Sequence, residues 1–299
     1  MLQEYPLVSI ITINFNKIEL TLALLNSLES ITYPNIEIIV VDNGSELNPK
    51  AVIEGKYPNV KIIVSTINLG FAGANNLGIK MAQGKYLLFI NNDTEVDTDF
   101  LQPLVKKMET TDKVGMASPK IIYHGTNNII QYAGATKINK YTGRGRKVGH
   151  LEVDMGQHDV IKETQLGHGA AMMVPSKVIQ EVGPMPEIFF LYYEEHDWCE
   201  KIKNAGYKIY YVGNSKVYHK ESMSIGKDNY LKTYYMTRNR LLYMRRNAHG
   251  LDLIISWCFY VVFAFPKNLL KNLMRYKGGH LMAFFRGIIW NFKNPAFPP

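Results

Sequence analysis

Cysteine is nearly absent from this chain. Cys199 and Cys258 are the only two in 299 residues, and they stand too far apart to fit a metal-ligand spacing. They offer no disulfide framework, which points to a reducing compartment. No leader pattern opens the sequence: residues 1–6 are polar, and Val8–Ile13 reads as a strand. No Gly-Lys-Ser/Thr phosphate loop is present. Gly70-Phe-Ala-Gly73 follows the third expected strand and lacks the full glycine spacing of a dinucleotide fingerprint. Nor is there a continuous uncharged run of the ~20 residues that a membrane-crossing helix needs. In the tail, Leu253–Phe265 is 13 residues without a charge.

What is present describes a globular protein, with 46% hydrophobic and 20% charged residues. The net charge of +8 is unevenly spread. From Lys220 onward there are 13 Lys/Arg against 3 Asp/Glu, whereas the first 219 residues are slightly acidic. Basicity confined to the tail suggests an anionic membrane surface or a nucleic acid as its partner.

The N-terminal half alternates strand and helix. Val8–Asn14 is a buried strand, followed by a helix with Leu20, Leu24, Leu25 and Leu28 on one face. Ile36–Asp42 and Lys61–Ser65 are further strands, and Asn68–Asn76 leads into a helix ending near Gln83-Gly84. Tyr86-Leu-Leu-Phe-Ile90 runs into Asn91-Asn92-Asp93, and a helix follows with Leu101, Leu104, Val105 and Met108 as its apolar face. This order predicts a mostly parallel sheet flanked by helices. Right-handed crossovers then bring the polar strand ends, Asn14/Asn16, Asp42 and Asn92/Asp93, to one edge, where ligands of open α/β sheets sit. A hard cation carrying a diphosphate needs one or two carboxylates there. Taken alone, Asn91-Asn92-Asp93 equally well caps a turn.

Tyr141–Gly149 is glycine-rich and basic, either a loop that closes over substrate or a plain surface loop. Gly167–Val174 returns to strand character. Glu194-Glu195-His196-Asp197 opens a helix that ends at Gly206. Acidic residues suit a helix N-terminus, but crowded carboxylates also raise at least one pKa, as a general base working near neutral pH requires. His219 follows a strand at Lys208–Gly213 and becomes a plausible ligand beside a diphosphate and a cation.

Seven segments, taken together, resemble the inverting glycosyltransferase family 2, especially its rhamnosyltransferase-like branch. They are Val8–Asn16, Val40–Ser45, Asn68–Asn76, Leu88–Thr94, Gly167–Met173, Tyr193–Trp198 and Val217–His219. The resemblance spans most of residues 7–222 and implies a GT-A fold of the nucleotide-diphospho-sugar transferase type. It implies that Asp42 meets the nucleotide base, with Asn14 and Asn16 lining that pocket. Asn68, Gly70, Asn75, Asn92 and His168 would line the rest of the nucleotide-sugar site. Asp93 would hold Mg²⁺ or Mn²⁺, with His219 as second ligand, because Asn91 replaces the first Asp of the family's Asp-x-Asp motif. The family's base falls on Glu195, with Glu194 and Asp197 as the other candidates. The donor implied is dTDP- or UDP-linked, with rhamnose expected from the branch, and the acceptor a glycan or lipid-linked glycan.

Residues 1–222 are thus expected to form the catalytic domain and 223–299 a helical, membrane-associating tail. In that tail, Tyr234–Arg246 is basic and aromatic, and its Arg238-Asn239 pair also recurs in the resembling branch. Lys267, Lys271, Arg275 and Lys277 alternate with Leu269, Leu270, Leu273 and Met274, as in an in-plane helix on anionic lipid. The same residues would also suit packing on the body or on a second subunit. The expected location is the cytoplasmic face of the cell membrane, peripheral or monotopic. No nucleic-acid-reading element is evident. A non-catalytic nucleotide-sugar-binding module is the main rival reading.

Overall fold

A computed structural model describes residues 5–220, 229–274 and 278–294, with the side chain of residue 272 left undescribed. Buried apolar runs form the expected frame: β1 (Val8–Asn14), α1 (Ile18–Leu28), β2 (Ile36–Asn43), α2 (Lys50–Lys56), β3 (Lys61–Ser65), α3 (Gly70–Met81) and β4 (Tyr86–Ile90). β5 (Thr94–Val96) and α4 (Leu101–Thr110) follow. Then come β6 (Val114–Tyr123), β7 (Ile130–Tyr132), β8 (Ile161–Thr164), β9 (Ala171–Pro175), α5 (Ser176–Val182), α6 (Glu194–Asn204) and β10 (Lys208–His219). The sheet order is β3-β2-β1-β4-β9-β6-β10-β5, with β7 paired to β6 and β8 to β10.

The parallel arrangement expected from the βα alternation holds for β3-β2-β1-β4. Beyond β4 the sheet is mixed: β9 runs antiparallel to both β4 and β6, while β6 and β10 are parallel. α1 buries Leu20, Leu24, Leu25 and Leu28 on one face, as its periodicity requires. α3 buries small residues instead. A Cβ on Gly78 would lie 2.5 Å from Ile11 Cγ2, so glycine there lets the helix settle closely on β1.

Two strands differ from the sequence expectation. β6 contains Pro119 and a fully buried Lys120, whose ammonium meets Asp154 at 2.7 Å and also Asp159. Proline and lysine hide a strand from pattern reading, and here the proline lies beside a register shift against β10. β10 continues through Gly213-Asn214-Ser215 by way of that irregularity, so His219 is a strand residue paired opposite Thr94.

The expected domain boundary at 222/223 lies outside the described residues. After it, α7 (Tyr230–Asn247) packs on α6 and buries Arg238, Asn239, Arg240 and Arg246. Part of the tail's positive charge is therefore interior. α8 (Leu251–Phe259), a π-helical turn (Tyr260–Ala264) and α9 (Phe265–Met274) form one continuous rod. α10 (Gly278–Lys293) lies along α7 in the same direction, because the contacts 233/280, 237/287 and 245/294 advance together. Leu251–Lys271 makes 21 helical residues, long and apolar enough by length and composition to cross a membrane. The uncharged run of 13 understates this, because Asp252 and Lys267 stand near the ends and helical length counts beyond them. Tyr260 and Ala264 face the body, whereas Val261, Val262, Phe263, Leu270 and Leu273 are exposed. Arg275 and Lys277 lie outside the described residues.

Candidate active site

Three strand ends meet through a chain of buried hydrogen bonds. Asn14 Nδ2 donates to Asp42 Oδ1 at 2.7 Å, Thr21 Oγ1 donates to Asn14 Oδ1 at 2.8 Å, and Asn92 Nδ2 donates to Thr21 Oγ1 at 3.0 Å. Pairing of Asn14 with Asp42 across β1 and β2 sets the first link. Asp42 also accepts from the Ser45 hydroxyl at 2.6 Å and the Ser45 amide at 3.2 Å. Asn16, at φ 54°, joins the cluster through its amide to Ser45 Oγ and through Oδ1 to the Glu46 amide.

Asn68 Oδ1 accepts from the Gly70 amide and from Asn43 Nδ2, holding the turn into α3. Gly70 has φ +73°, and a Cβ there would sit 2.2 Å from Phe190 O, so the turn needs glycine twice over. Asn75 is buried and turns back on its own helix, donating to Phe71 O.

Asp93 lies beyond the end of β4. His219 Nε2 is 3.1 Å from Asp93 Oδ1, and the Lys220 amide donates to Asp93 O. His219 Nδ1 lies 2.7 Å from Gln131 Oε1, which fixes the ring and leaves Nε2 facing the carboxylate. Both side chains are almost fully buried. His168 is the next ring, 6.3 Å from His219 between centroids. Its Nε2 lies 3.0 Å from Lys147 Nζ, and burial together with that ammonium pushes the imidazole pKa well below its ordinary value. His168 is therefore neutral at pH 7. Among the described residues no group of three or more His, Cys, Asp or Glu could enclose a metal by itself.

The loop 167–170 joins this corner to α6. Asn91 donates its amide to Ala170 O, and Gly169 lies beside Glu195 Oε1. Glu194 is buried, and burial followed by repulsion from Glu195 drives its pKa well up. Burial opposes ionisation of Glu195 as well, but His196, whose Nδ1 lies 3.2 Å from Glu195 Oε1, outweighs it and the direction is down. The surroundings thus favour the protonated form of Glu194 and the charged form of Glu195. Glu195 Oε2 makes no hydrogen bond to any described residue. Asp197 points elsewhere. Arg246 grips it with two bonds, Nε to Oδ1 at 3.0 Å and Nη2 to Oδ2 at 3.1 Å, and Asn247 adds a third at 2.8 Å.

Sequence reasoning passed over Thr21, Gln131 and the role of Asn239. Asn239 Nδ2 donates to Phe189 O, Leu191 O and Tyr192 O at 2.7–2.8 Å. Those carbonyls belong to a segment in which Phe190, Tyr192 and Tyr193 all have positive φ. The recurrence of the Arg238-Asn239 pair in the resembling branch was the available signal.

Residues 9–162, just over half of the chain, match the family described as Glycosyl transferase family 2. The chain belongs to that family. It is a glycosyltransferase, and residues 86–291 also match Glycosyl transferase family group 2. It is 27% identical over 270 residues to the dTDP-rhamnosyl transferase RfbF of Shigella flexneri, covering 85% of this chain and 86% of that one. It is 26% identical to the amylovoran biosynthesis glycosyltransferase AmsB of Erwinia amylovora, covering 67% and 65%. It spans only 27% of the uncharacterized protein y4gI of Sinorhizobium fredii. Among solved structures, the mannosyltransferase PcManGT of Pyrobaculum calidifontis, in complex with GDP-Man and Mn²⁺, has a TM-score of 0.58 at 15% identity, covering 98% of this chain and 89% of that one. GalNAc-T7 with UDP, GalNAc and Mn²⁺ has 0.59 at 15% identity, covering 89% and 58%. These likenesses show the GT-A fold, and the family relatives support a nucleotide-sugar donor.

Proposed function

We propose that the protein transfers a sugar, with inversion, from a dTDP- or UDP-linked donor to a hydroxyl of a glycan or lipid-linked glycan. Rhamnose is the sugar favoured by the likeness to RfbF. One observation carries the reading: the 167–170 loop touches both corners, with Asn91 bonded to Ala170 and Glu195 beside Gly169, so a donor on the strand ends would lie one short loop away from a carboxylate.

Asp42, Asn14 and Asn16 line the base pocket in this reading, and Asn68, Gly70, Asn75, Asn92 and His168 line the rest of the donor site. Asp93 and His219 would hold Mg²⁺ or Mn²⁺. One carboxylate and one oriented imidazole suit such an ion when diphosphate oxygens complete its shell, and the bond of Nδ1 to Gln131 turns His219 Nε2 towards Asp93, where the two could ligate together. Bound there, the ion supplies positive charge against the diphosphate of the leaving group.

Glu195 takes the proton of the acceptor hydroxyl while that oxygen forms its bond to the anomeric carbon. The bond from that carbon to the diphosphate oxygen breaks on the opposite face, which inverts the centre. Glu194 keeps its proton, so the pair carries a single charge beside the acceptor. Asp197, occupied by Arg246, positions the helix. The exposed apolar face of the 251–274 rod and its lysines would rest on an anionic membrane surface at the cytoplasmic side.

The test is calorimetry with UDP, dTDP, GDP and ADP, each with and without Mn²⁺, on wild type and Asp93→Ala, followed by turnover of Glu195→Gln. Expected are metal-dependent binding of UDP or dTDP that Asp93→Ala loses, and a loss of about a hundredfold or more in kcat for Glu195→Gln. Equal turnover by Glu195→Gln and wild type would remove Glu195 as the base. A well-folded protein that binds no nucleotide would overturn the reading.

A further inference from the structure

A cavity of about 650 Å³ lies between the 136–146 hairpin and the 251–274 rod. Five cations line it: Lys137, Arg144 and Arg146 from the hairpin, Arg240 from α7 and Lys267 from α9. No carboxylate lines it. None of the five makes an ion pair with a described residue. Arg240 is 6% exposed. Its Nε donates to Thr142 O, a neutral partner, and desolvation together with the nearby Arg144 lowers its pKa. A nearly buried guanidinium among like charges is costly unless an anion completes the site.

The remaining wall gives the anion its chemistry. Phe259 and Phe263 line the cavity, and Phe263 continues into the exposed row with Val262 and Leu270. A ligand that satisfies both walls joins an anionic head to an apolar tail. Arginine and lysine clusters of this kind match phosphate oxygens. The cavity is also tied to the catalytic helix. Gly143 O in the hairpin accepts from the Tyr193 hydroxyl at 3.1 Å, immediately before Glu194, and Arg240 follows Asn239, which holds the loop before α6.

We propose that this cavity binds the phosphate or diphosphate head of a lipid-linked acceptor, with its tail along the 251–274 rod and its sugar end towards Glu195. This rests on the glycosyl-transfer reading above and names where the acceptor is held.

The test uses the full chain and neutral phosphatidylcholine vesicles. Vesicles doped with a long-chain isoprenyl diphosphate are compared with vesicles carrying equal charge as phosphatidylglycerol, and with inorganic diphosphate in solution. Wild type should prefer the isoprenyl diphosphate by at least tenfold. Arg144→Ser/Arg146→Ser and Lys267→Ser, all at exposed positions, should lose that preference. Equal binding to both charged vesicles, or a preference that survives in both variants, would overturn the proposal in favour of general surface attraction. So would inorganic diphosphate binding as tightly as the lipid. Nucleotide calorimetry on the same preparations separates the two readings. Nucleotide binding without lipid preference sinks the acceptor site alone, and lipid preference without nucleotide binding upholds the site while sinking the donor reading.

Discussion

Replacing Asn239 should cost more at the catalytic helix than anywhere near α7 itself. Its amide gives two N–H groups to three carbonyls, those of Phe189, Leu191 and Tyr192. Its Oδ1 accepts nothing from the described residues, so donation is its whole role. The segment that it holds carries Phe190 at φ 64°, Tyr192 at φ 68° and Tyr193 at φ 77°. Non-glycine residues in such conformations cost roughly 1–3 kcal/mol each and persist only when surrounding bonds over-determine them. Asn239→Ala orphans the part-buried carbonyls of Leu191 and Tyr192, at about 1–3 kcal/mol apiece, whereas Phe189 O keeps the Leu191 amide. Some restraint remains, since Phe71 donates to Phe190 O at 2.6 Å and Arg238 donates to Ile188 O. The expected loss is about 2–4 kcal/mol, or a melting-point fall of roughly 3–6 °C for a chain of this length. Because the segment leads directly into Glu194 and Glu195, kcat should fall while the donor KM changes little. Asn239→Asp is the sharper variant: nearly isosteric, it turns a donor into a negative acceptor facing three carbonyls, and should be worse than alanine. Thermal melts and steady-state kinetics read both. If either variant melts within 1 °C of wild type with unchanged kcat, or if aspartate is tolerated better than alanine, the clasp is not what orders the segment.

Glu194 holds its proton in the folded state beyond the ordinary glutamate value of 4.5, so the folded state loses stability as pH rises from there towards the raised pKa. Glu194→Gln should therefore melt like wild type below about pH 4.5 and gain an advantage that grows above it; an advantage independent of pH would contradict the assignment. Arg246→Ala leaves Asp197 buried without its cation and should cost about 3–5 kcal/mol in denaturant unfolding. Asp197→Asn with Arg246→Met should recover much of that and keep turnover, whereas loss of turnover in a stable double variant would return Asp197 to the list of bases.

The strand ends were legible because an apolar run stopping at a polar cluster is a local pattern, and β1, β2 and β4 each show it. Asp93 and His219, 126 positions apart, meet through the pairing of Thr94 with His219, which no local pattern contains. β6 was hidden by Lys120, whose burial is intelligible only with Asp154 and Asp159 in view. The sequence assigns α7 to the membrane-associating tail, because arginine counts as exposed until a partner is known. Arg246 has Asp197, and Arg238 stacks on Trp290 at 4.2 Å. The opposite electrostatic settings of Glu194 and Glu195 were equally invisible, since they depend on which carboxyl lies beside His196.

The grip of α7 on α6 reaches backward along the chain by 47 to 50 residues. During synthesis the strands and the acidic helix leave the ribosome first, and Asn239 and Arg246 follow after ~2–10 s at ordinary elongation rates. Until then Asp197 lacks the cation that neutralises it, and the strained turn before Glu194 is held only in part, by the Phe71 amide on Phe190 O. The order of synthesis thus makes the setting of the Glu194–Glu195 segment a late event, completed only when the helix that leads to the apolar rod has been made.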